Sequence, residues 1–227
     1  MLAKKYKSEL VSIVNPFEGI YTLEFKSLGR MFKYLPGQFM HLSIDTVYDG
    51  IGQWPDSRCF SMQSEPNEET IRITYSVKGS YTKLMEQMLI EGSKVWLKLP
   101  YGDLFNQNHS KKKVVFIAGG TGITPFLSLF TNNSFNEYID PSIYLGFKSR
   151  EFNIYETELE NINNNTHFVK LFYEDTDGLI DVSQIFREHG LESYYFISGP
   201  PIMIKSFKST LFNNGVSLQN ILTDDWE

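Results

Sequence analysis

Residues 114–118, Val-Val-Phe-Ile-Ala, are five apolar residues in a row, and they run directly into Gly119-Gly120-Thr121-Gly122. A strand apolar on both sides must be covered on both faces, as in a parallel sheet flanked by helices. The glycines let the chain turn sharply and let another group approach the backbone closely. Thr124–Phe130 then reads as a helix with Pro125 in its first turn, where the missing N–H costs nothing. The same alternation continues to the C-terminus. Strands are predicted at Ser142–Phe147, Phe168–Tyr173 and Tyr194–Ser198, and helices at Asn153–Asn161, Val182–His189 and Pro201–Asn213. This strand–helix order favours a doubly wound parallel sheet.

Residues 1–105 follow a different pattern. Leu10–Val14, Tyr21–Phe25, Phe39–Ile44, Arg58–Met62, Ile71–Val77 and Lys94–Leu99 are short runs rich in β-branched and aromatic residues. Asn15-Pro16, Leu35-Pro36-Gly37, Asp49-Gly50 and Glu65-Pro66-Asn67 supply turns between them. One helix, Tyr81–Ile90, interrupts the series, with Leu84, Met88 and Leu89 at helical spacing. Two domains follow: an N-terminal antiparallel β-barrel over 1–105 and a C-terminal α/β doubly wound parallel sheet over 113–227. The polar stretch 106–112 reads as the linker.

Composition narrows the function. Cys59 is the single cysteine, so the chain has no internal disulfide framework and no Cys-ligated zinc or iron–sulfur site of its own. A net charge of −6 argues against non-specific nucleic-acid binding. Lys4-Lys5 with Lys7, and Lys111-Lys112-Lys113, read as solvated surface charge. The N-terminus carries no apolar run long enough for a signal peptide. The most apolar stretch, Val114–Phe130, is broken by Gly119, Gly120, Gly122 and Pro125, so no membrane span is expected. The default setting is cytoplasmic and reducing. His41, His109, His167 and His189 show no metal-ligand spacing, and no metal site is expected. His41 reads as structural, and Cys59 as a small buried apolar group.

Three segments suit a nucleotide. The turn Gly119-Gly120-Thr121-Gly122 offers backbone N–H groups to a pyrophosphate at a helix start. It departs from the GxGxxG fingerprint, because Pro125 stands at the third glycine. In Arg58-Cys59-Phe60-Ser61, a guanidinium can clamp phosphate and an aromatic two residues on shares its strand face. In Lys78-Gly79-Ser80-Tyr81-Thr82, Thr82 is placed to cap a helix whose free N–H groups can hold a second phosphate.

Together and in order, these segments resemble the ferredoxin–NADP reductase-like flavoenzyme family. Arg58, Phe60 and Ser61 match its Arg-x-(Tyr/Phe)-Ser signature, and Gly79 with Thr82 its Gly-x-x-(Ser/Thr) element. Pro100, Gly102 and Phe105 match the barrel exit, and Tyr155, Glu158 and Leu159 a Tyr-x-x-Glu-Leu helix. Ser198-Gly199-Pro200-Pro201-Ile202-Met203 stands where the family has Cys-Gly-Pro-Pro-x-Met. The resemblance implies FAD, with FMN second, bound through Arg58, Phe60, Ser61, Val77, Gly79, Ser80 and Thr82. It implies NADPH or NADH held by Gly119, Gly120, Thr121, Gly122, Gly199 and Pro200. Ser61 is implied near the reactive flavin nitrogen and Ser198 beside the nicotinamide.

Two departures are Phe60 in place of a frequent Tyr, and Ser198 in place of Cys, which removes a polarisable sulfur. Hydride transfer needs no protein nucleophile, so neither abolishes the chemistry. Ser149 and Arg150 follow the second strand of the nucleotide domain and suit a 2′-phosphate, although a polar loop there tolerates NADH equally. In the tail, Asp225 (or Asp224) is expected near the flavin nitrogen, with Trp226 over the flavin face; a frayed terminus is the plain alternative.

The implied activity is NAD(P)H-dependent flavin reduction, with electrons passed to a carrier such as ferredoxin or flavodoxin. An oxygenase component, free flavin and ferric chelates are also suitable acceptors. The alternatives are a reductase subunit of a multicomponent oxygenase or dehydrogenase and, from a different class, a non-catalytic nucleotide-binding sensor.

Overall fold

The computed structural model describes residues 2–66, 69–163 and 168–224. The chain divides into two compact units, Met1–Asp103 and Leu104–Glu227.

The first unit is built on six strands, β1 (Lys4–Phe17), β2 (Ile20–Ser27), β3 (Phe39–Ser43), β4 (Arg58–Ser61), β5 (Thr70–Ser76) and β6 (Lys94–Tyr101). They form one antiparallel sheet in the order β4-β3-β6-β1-β2-β5. Just past β4, the Gln63 N–H donates to the Arg72 carbonyl of β5 at 2.8 Å. That bond ties the two edge strands together, so the sheet curls into a nearly closed barrel and leaves little free edge. Alternate residues such as Leu10, Leu23, Phe25, Met40, Leu42, Ile73 and Leu97 fill its interior. Helix α1 (Ser80–Met88) adds Tyr81 and Met85 to the same core. The Tyr81 hydroxyl donates to the Leu42 carbonyl at 2.9 Å and accepts from the Ile44 N–H at 3.2 Å.

β1 starts at Lys4 rather than at Leu10, the start predicted from sequence. Tyr6, Ser8 and Leu10 point inward and Lys5 and Lys7 outward, so the strand alternates as it should. Between Lys4 and Leu10 only Tyr6 is a large apolar residue, which is why the pattern reads as a basic tail.

The second unit carries β7 (Val114–Gly119), α2 (Thr124–Phe130), β8 (Ser142–Phe147), α3 (Glu156–Asn163) and β9 (Phe168–Tyr173). It continues with α4 (Val182–His189), β10 (Tyr194–Ser198), α5 (Pro201–Asn213) and β11 (Ile221–Thr223). Its parallel sheet has the order β11-β10-β7-β8-β9. Phe116 and Phe196 face one apolar layer, and Val115, Ile117 and Tyr195 the other. The continuous apolar run of β7 is thus covered on both sides. β11 was not anticipated, because three residues are too few to show a period.

Two local differences have physical causes. The helix expected from Asn153 begins at Glu156: Arg150–Phe152 form a 3-10 turn, and Asn153 Oδ1 accepts from the Tyr155 N–H at 3.4 Å. An Asn side chain that bonds its own backbone competes with the helix. The polar stretch read as a linker is also attached to the second unit. The His109 ring meets Phe196 edge-on at 4.9 Å, its Nε2 lies 2.9 Å from the Tyr138 hydroxyl, and Leu104 and Phe105 are buried in the core. Polar side chains can bury their apolar parts in this way without an apolar period in the sequence.

The strand order reverses between β7 and β10, which lie side by side at the centre of the sheet. Open α/β sheets bind ligands at such a switch point, outside the carboxyl ends of the strands.

Candidate functional site

Each unit carries one set of the residues singled out by sequence. In the barrel, Arg58 opens β4 with its side chain about half exposed. Its guanidinium donates to Asp56 Oδ1 at 2.6 Å and to the Ser57 carbonyl at 2.7 Å, and lies 4.7 Å above the Tyr81 ring. Phe60, two residues on, is buried with its ring edge-on to Tyr75 at 5.8 Å; Ser61 is also buried. Cys59 points the other way and is half-buried, not buried as expected. Its Sγ lies 3.6 and 3.7 Å from the two ring nitrogens of His41. Burial pushes the Cys59 thiol up, so it is a poor thiolate, and burial likewise lowers His41.

The helix start is built differently from the sequence expectation. Gly79, not Thr82, is the cap residue of α1, in an extended conformation. Thr82 is the third helical residue and reaches back: its hydroxyl accepts from the N–H groups of Lys78 (2.9 Å) and Gly79 (3.1 Å). It also donates to the Gly79 carbonyl at 3.0 Å. The turn is therefore held from inside the helix. The N–H groups of Ser80, Tyr81 and Thr82 have no carbonyl to bind within the helix. A Cβ added at Gly79 would meet nothing within 4 Å. Val77, just before the turn, packs against the barrel core.

Sequence inspection passed over Tyr75. The alternation Ile71, Ile73, Tyr75 places it inside the barrel, and its hydroxyl is buried without a partner among the described residues. Burial raises this phenol well above its ordinary value, so it remains a neutral donor. An orphaned buried hydroxyl costs roughly 1–3 kcal/mol unless a bound group satisfies it. An aromatic wall of Phe60 and Tyr75, a cation on Tyr81 and an open helix start fit a flat apolar ring joined to a phosphate.

In the second unit the glycine turn packs against another turn. A Cβ on Gly122 would stand 2.4 Å from Gly199 Cα, and one on Gly119 would stand 2.8 Å from Met203 Sδ. Gly199 has φ +152°, and a Cβ there would stand 2.6 Å from Met203 Cε. The turns that follow β7 and β10 thus meet backbone to backbone at the switch point. Gly120 differs: it has φ +55° and open space around it. The glycine turn expected before the helix Thr124–Phe130 is a 3-10 turn over Gly120–Ile123, and the helix follows it directly. Thr124 Oγ1 closes that turn by donating to the Thr121 carbonyl at 2.9 Å.

Ser198 ends β10, almost fully buried, and its hydroxyl donates to Asp224 Oδ2 at 3.3 Å. The Asp224 N–H donates to the Ile197 carbonyl at 3.0 Å, which fixes the carboxylate beside Ser198. Among the described residues, Asp224 is thus the acidic residue of the tail that meets a predicted site residue. Asp225, Trp226 and His167 lie outside the described residues. Pro200 is exposed at the start of α5. Ser149 and Arg150 leave the carboxyl end of β8, and Arg150 donates to Glu156 Oε1 at 3.0 Å. Among the described residues no cluster of His, Cys, Asp or Glu suits a metal ion, and no helix is long and apolar enough to cross a membrane.

No protein-family model matches the chain. Among curated proteins it is 28% identical to the sulfhydrogenase 2 subunit gamma of Pyrococcus furiosus, covering 94% of this chain and 81% of that one. It is 26% identical to a probable flavin reductase of Aliivibrio fischeri, covering 90% and 89%. It spans less of methane monooxygenase component C of Methylosinus trichosporium (37%) and of an anthranilate 1,2-dioxygenase electron transfer component of Acinetobacter baylyi (62%). In fold it matches a ferredoxin NADP+ reductase of Neisseria gonorrhoeae solved with bound FAD and NADP. The TM-score is 0.79 at 16% identity, over 99% of this chain and 98% of that one. The chain is thus similar, over nearly its whole length, to ferredoxin–NADP reductase-like flavin reductases, and it has their two-domain fold.

Proposed function

We propose that the chain is an NAD(P)H-dependent flavin oxidoreductase that delivers electrons to a separate redox carrier. The observation that carries this is the pairing, in one chain, of an arginine-flanked open helix start in a barrel with a glycine-on-glycine turn at the switch point of a parallel sheet. FAD is the proposed flavin, with FMN second.

A bound flavin supplies the capacity to accept a hydride and to release its electrons together or singly. The chain's residues position and desolvate. Arg58 offers a charge-assisted bond to a phosphate, and the N–H groups at Ser80, Tyr81 and Thr82 add a partial positive charge. Gly79 leaves room for the approach. Phe60, with Val77, offers apolar surface to a flat ring, and Ser61 a hydroxyl to its edge. In the α/β unit, Gly120, Thr121 and Gly122 present backbone N–H groups to a pyrophosphate, and Gly199 and Pro200 line the adjoining turn. Ser198, oriented by Asp224, offers a hydroxyl to the carboxamide of a nicotinamide.

The carrier is proposed as a protein of the ferredoxin or flavodoxin kind. A second reading, a reductase subunit of a larger oxygenase or hydrogenase, is favoured by the relatives named as components and subunits. A cytoplasmic, reducing setting belongs to the same proposal, supported by the single cysteine.

The test is direct. The purified protein should be yellow, should release FAD on heating, and should bleach on anaerobic addition of NADH or NADPH and then reduce an artificial dye. A colourless protein that neither retains added flavin nor reduces the dye would return the assignment to a nucleotide-binding sensor.

A further inference from the structure

We propose that this chain selects NADH over NADPH, because carboxylates, Glu156 and Asp175 foremost, crowd the place where a nucleotide's 2′-phosphate must sit. This rests on reading the β7 turn as the nicotinamide-nucleotide site. In a sheet of this topology the pyrophosphate lies at the first strand's turn, and the adenosine ribose lies at the carboxyl end of the next strand. Here that end is Lys148-Ser149-Arg150, after β8.

By residue type this segment favours a phosphate. The tertiary structure reverses that. The Arg150 guanidinium is held by Glu156 at 3.0 Å, so its charge already has a partner. The turn after β9 is stitched alongside: the Glu174 N–H donates to the Phe147 carbonyl at 2.9 Å, and the Asp175 N–H to the Lys148 carbonyl at 3.2 Å. Asp177 Oδ2 accepts from the Tyr173 N–H at 2.9 Å, which locks the turn. Two cations, Lys148 and Arg150, therefore share this edge with Glu151, Glu156, Glu174, Asp175 and Asp177. A 2′-phosphate brings nearly two further negative charges. A 2′-hydroxyl brings none, and it can donate to a carboxylate.

The experiment compares the full-length protein with the double variant Glu156→Gln/Asp175→Asn. One readout is kcat/KM for NADH and NADPH in flavin reduction. The other is calorimetric affinity for AMP and for adenosine 2′,5′-bisphosphate, which requires no turnover. The wild-type protein should favour NADH by at least roughly tenfold and AMP over the bisphosphate. Removing the two carboxylates should lower both ratios by roughly tenfold. High salt should narrow the wild-type ratios and move the variant's less. Both positions are exposed, and an unchanged melting curve confirms that the variant folds.

Wild-type preference for NADPH, tighter binding of the bisphosphate, or ratios that the double variant leaves unchanged would each overturn the proposal. Failure to bind AMP, the bisphosphate and both dinucleotides is a different result. It would remove the nucleotide site itself, and the inference with it.

Discussion

Gly79 in the barrel and Gly122 in the α/β unit both sit at turns proposed to hold phosphate, but the space around them differs. A side chain at Gly79 would enter open space, whereas one at Gly122 would strike the backbone of Gly199. The first glycine gives access; the second allows two turns to pack. Charge divides the same way. Residues 1–103 hold twelve cationic and twelve anionic side chains, and residues 104–227 hold nine and fifteen, so the whole net charge of −6 belongs to the second unit. In the proposed function the barrel holds an anion with a side chain, Arg58. There the acidic unit holds one with backbone N–H groups, whose partial charges are fixed in place by the packing of its turns.

That contrast breaks most visibly at the glycines. Gly122→Ala should destabilise the α/β unit by about 3 kcal/mol, the upper range of overpacking, and abolish nucleotide binding. Gly79→Ala should cost at most about 1 kcal/mol, the scale of a cap change, while weakening flavin affinity. Thermal melts followed by far-ultraviolet circular dichroism, with flavin and AMP titrations, separate the two. Equal losses of stability would end the distinction between access and packing.

Arg58→Ala sharpens the charge half of the contrast. It should weaken flavin binding tenfold or more, the scale of a charge-assisted hydrogen bond, and leave the melting curve of the flavin-free barrel almost unmoved, because the Asp56 pair is exposed. Flavin fluorescence quenching measures the first, and Trp54 and Trp96 emission reports the second. A barrel that unfolds without Arg58 would mark the residue as structural.

The smallest expected effect is acid lability of the α/β unit. Burial lowers His109 and His189 there, and His41 in the barrel. A histidine lowered in the folded state takes up its proton more readily when unfolded. Its stabilisation is therefore present above the ordinary histidine value and is lost as the pH falls below it. Two of the three belong to the α/β unit, so that unit should lose more of its Tm between pH 7.5 and 5.5. His109→Gln with His189→Gln should flatten the loss. An acid response confined to tryptophan emission from the barrel would contradict this.

The order of elements was legible because each long strand and helix repeats its apolar residues at its own period. β7 and its glycines, α4, α5 and the barrel strands from β2 onward fall close to where residue pattern places them. The basic start of β1, the three-residue β11 and the attached stretch 106–112 were not legible, since one aromatic or one imidazole carries no period. In the barrel, Arg58 and Phe60 were readable from strand parity. Thr82 was misplaced by three positions because Gly79 and Thr82 are both acceptable cap residues, and the helix boundary decides between them.

By itself, the sequence determined that one half would be barrel-like and the other doubly wound, and which residue types stood at the turns. Only the tertiary structure decided what those residues meet. It placed Gly122 on Gly199, gave Ser198 to Asp224, left the Tyr75 hydroxyl beside Phe60 without a partner among the described residues, and tied Arg150 to Glu156. The reason is range. Period and turn chemistry act over a few neighbouring residues, whereas contact between two turns depends on strand order, which brings together residues 77 positions apart (122 and 199).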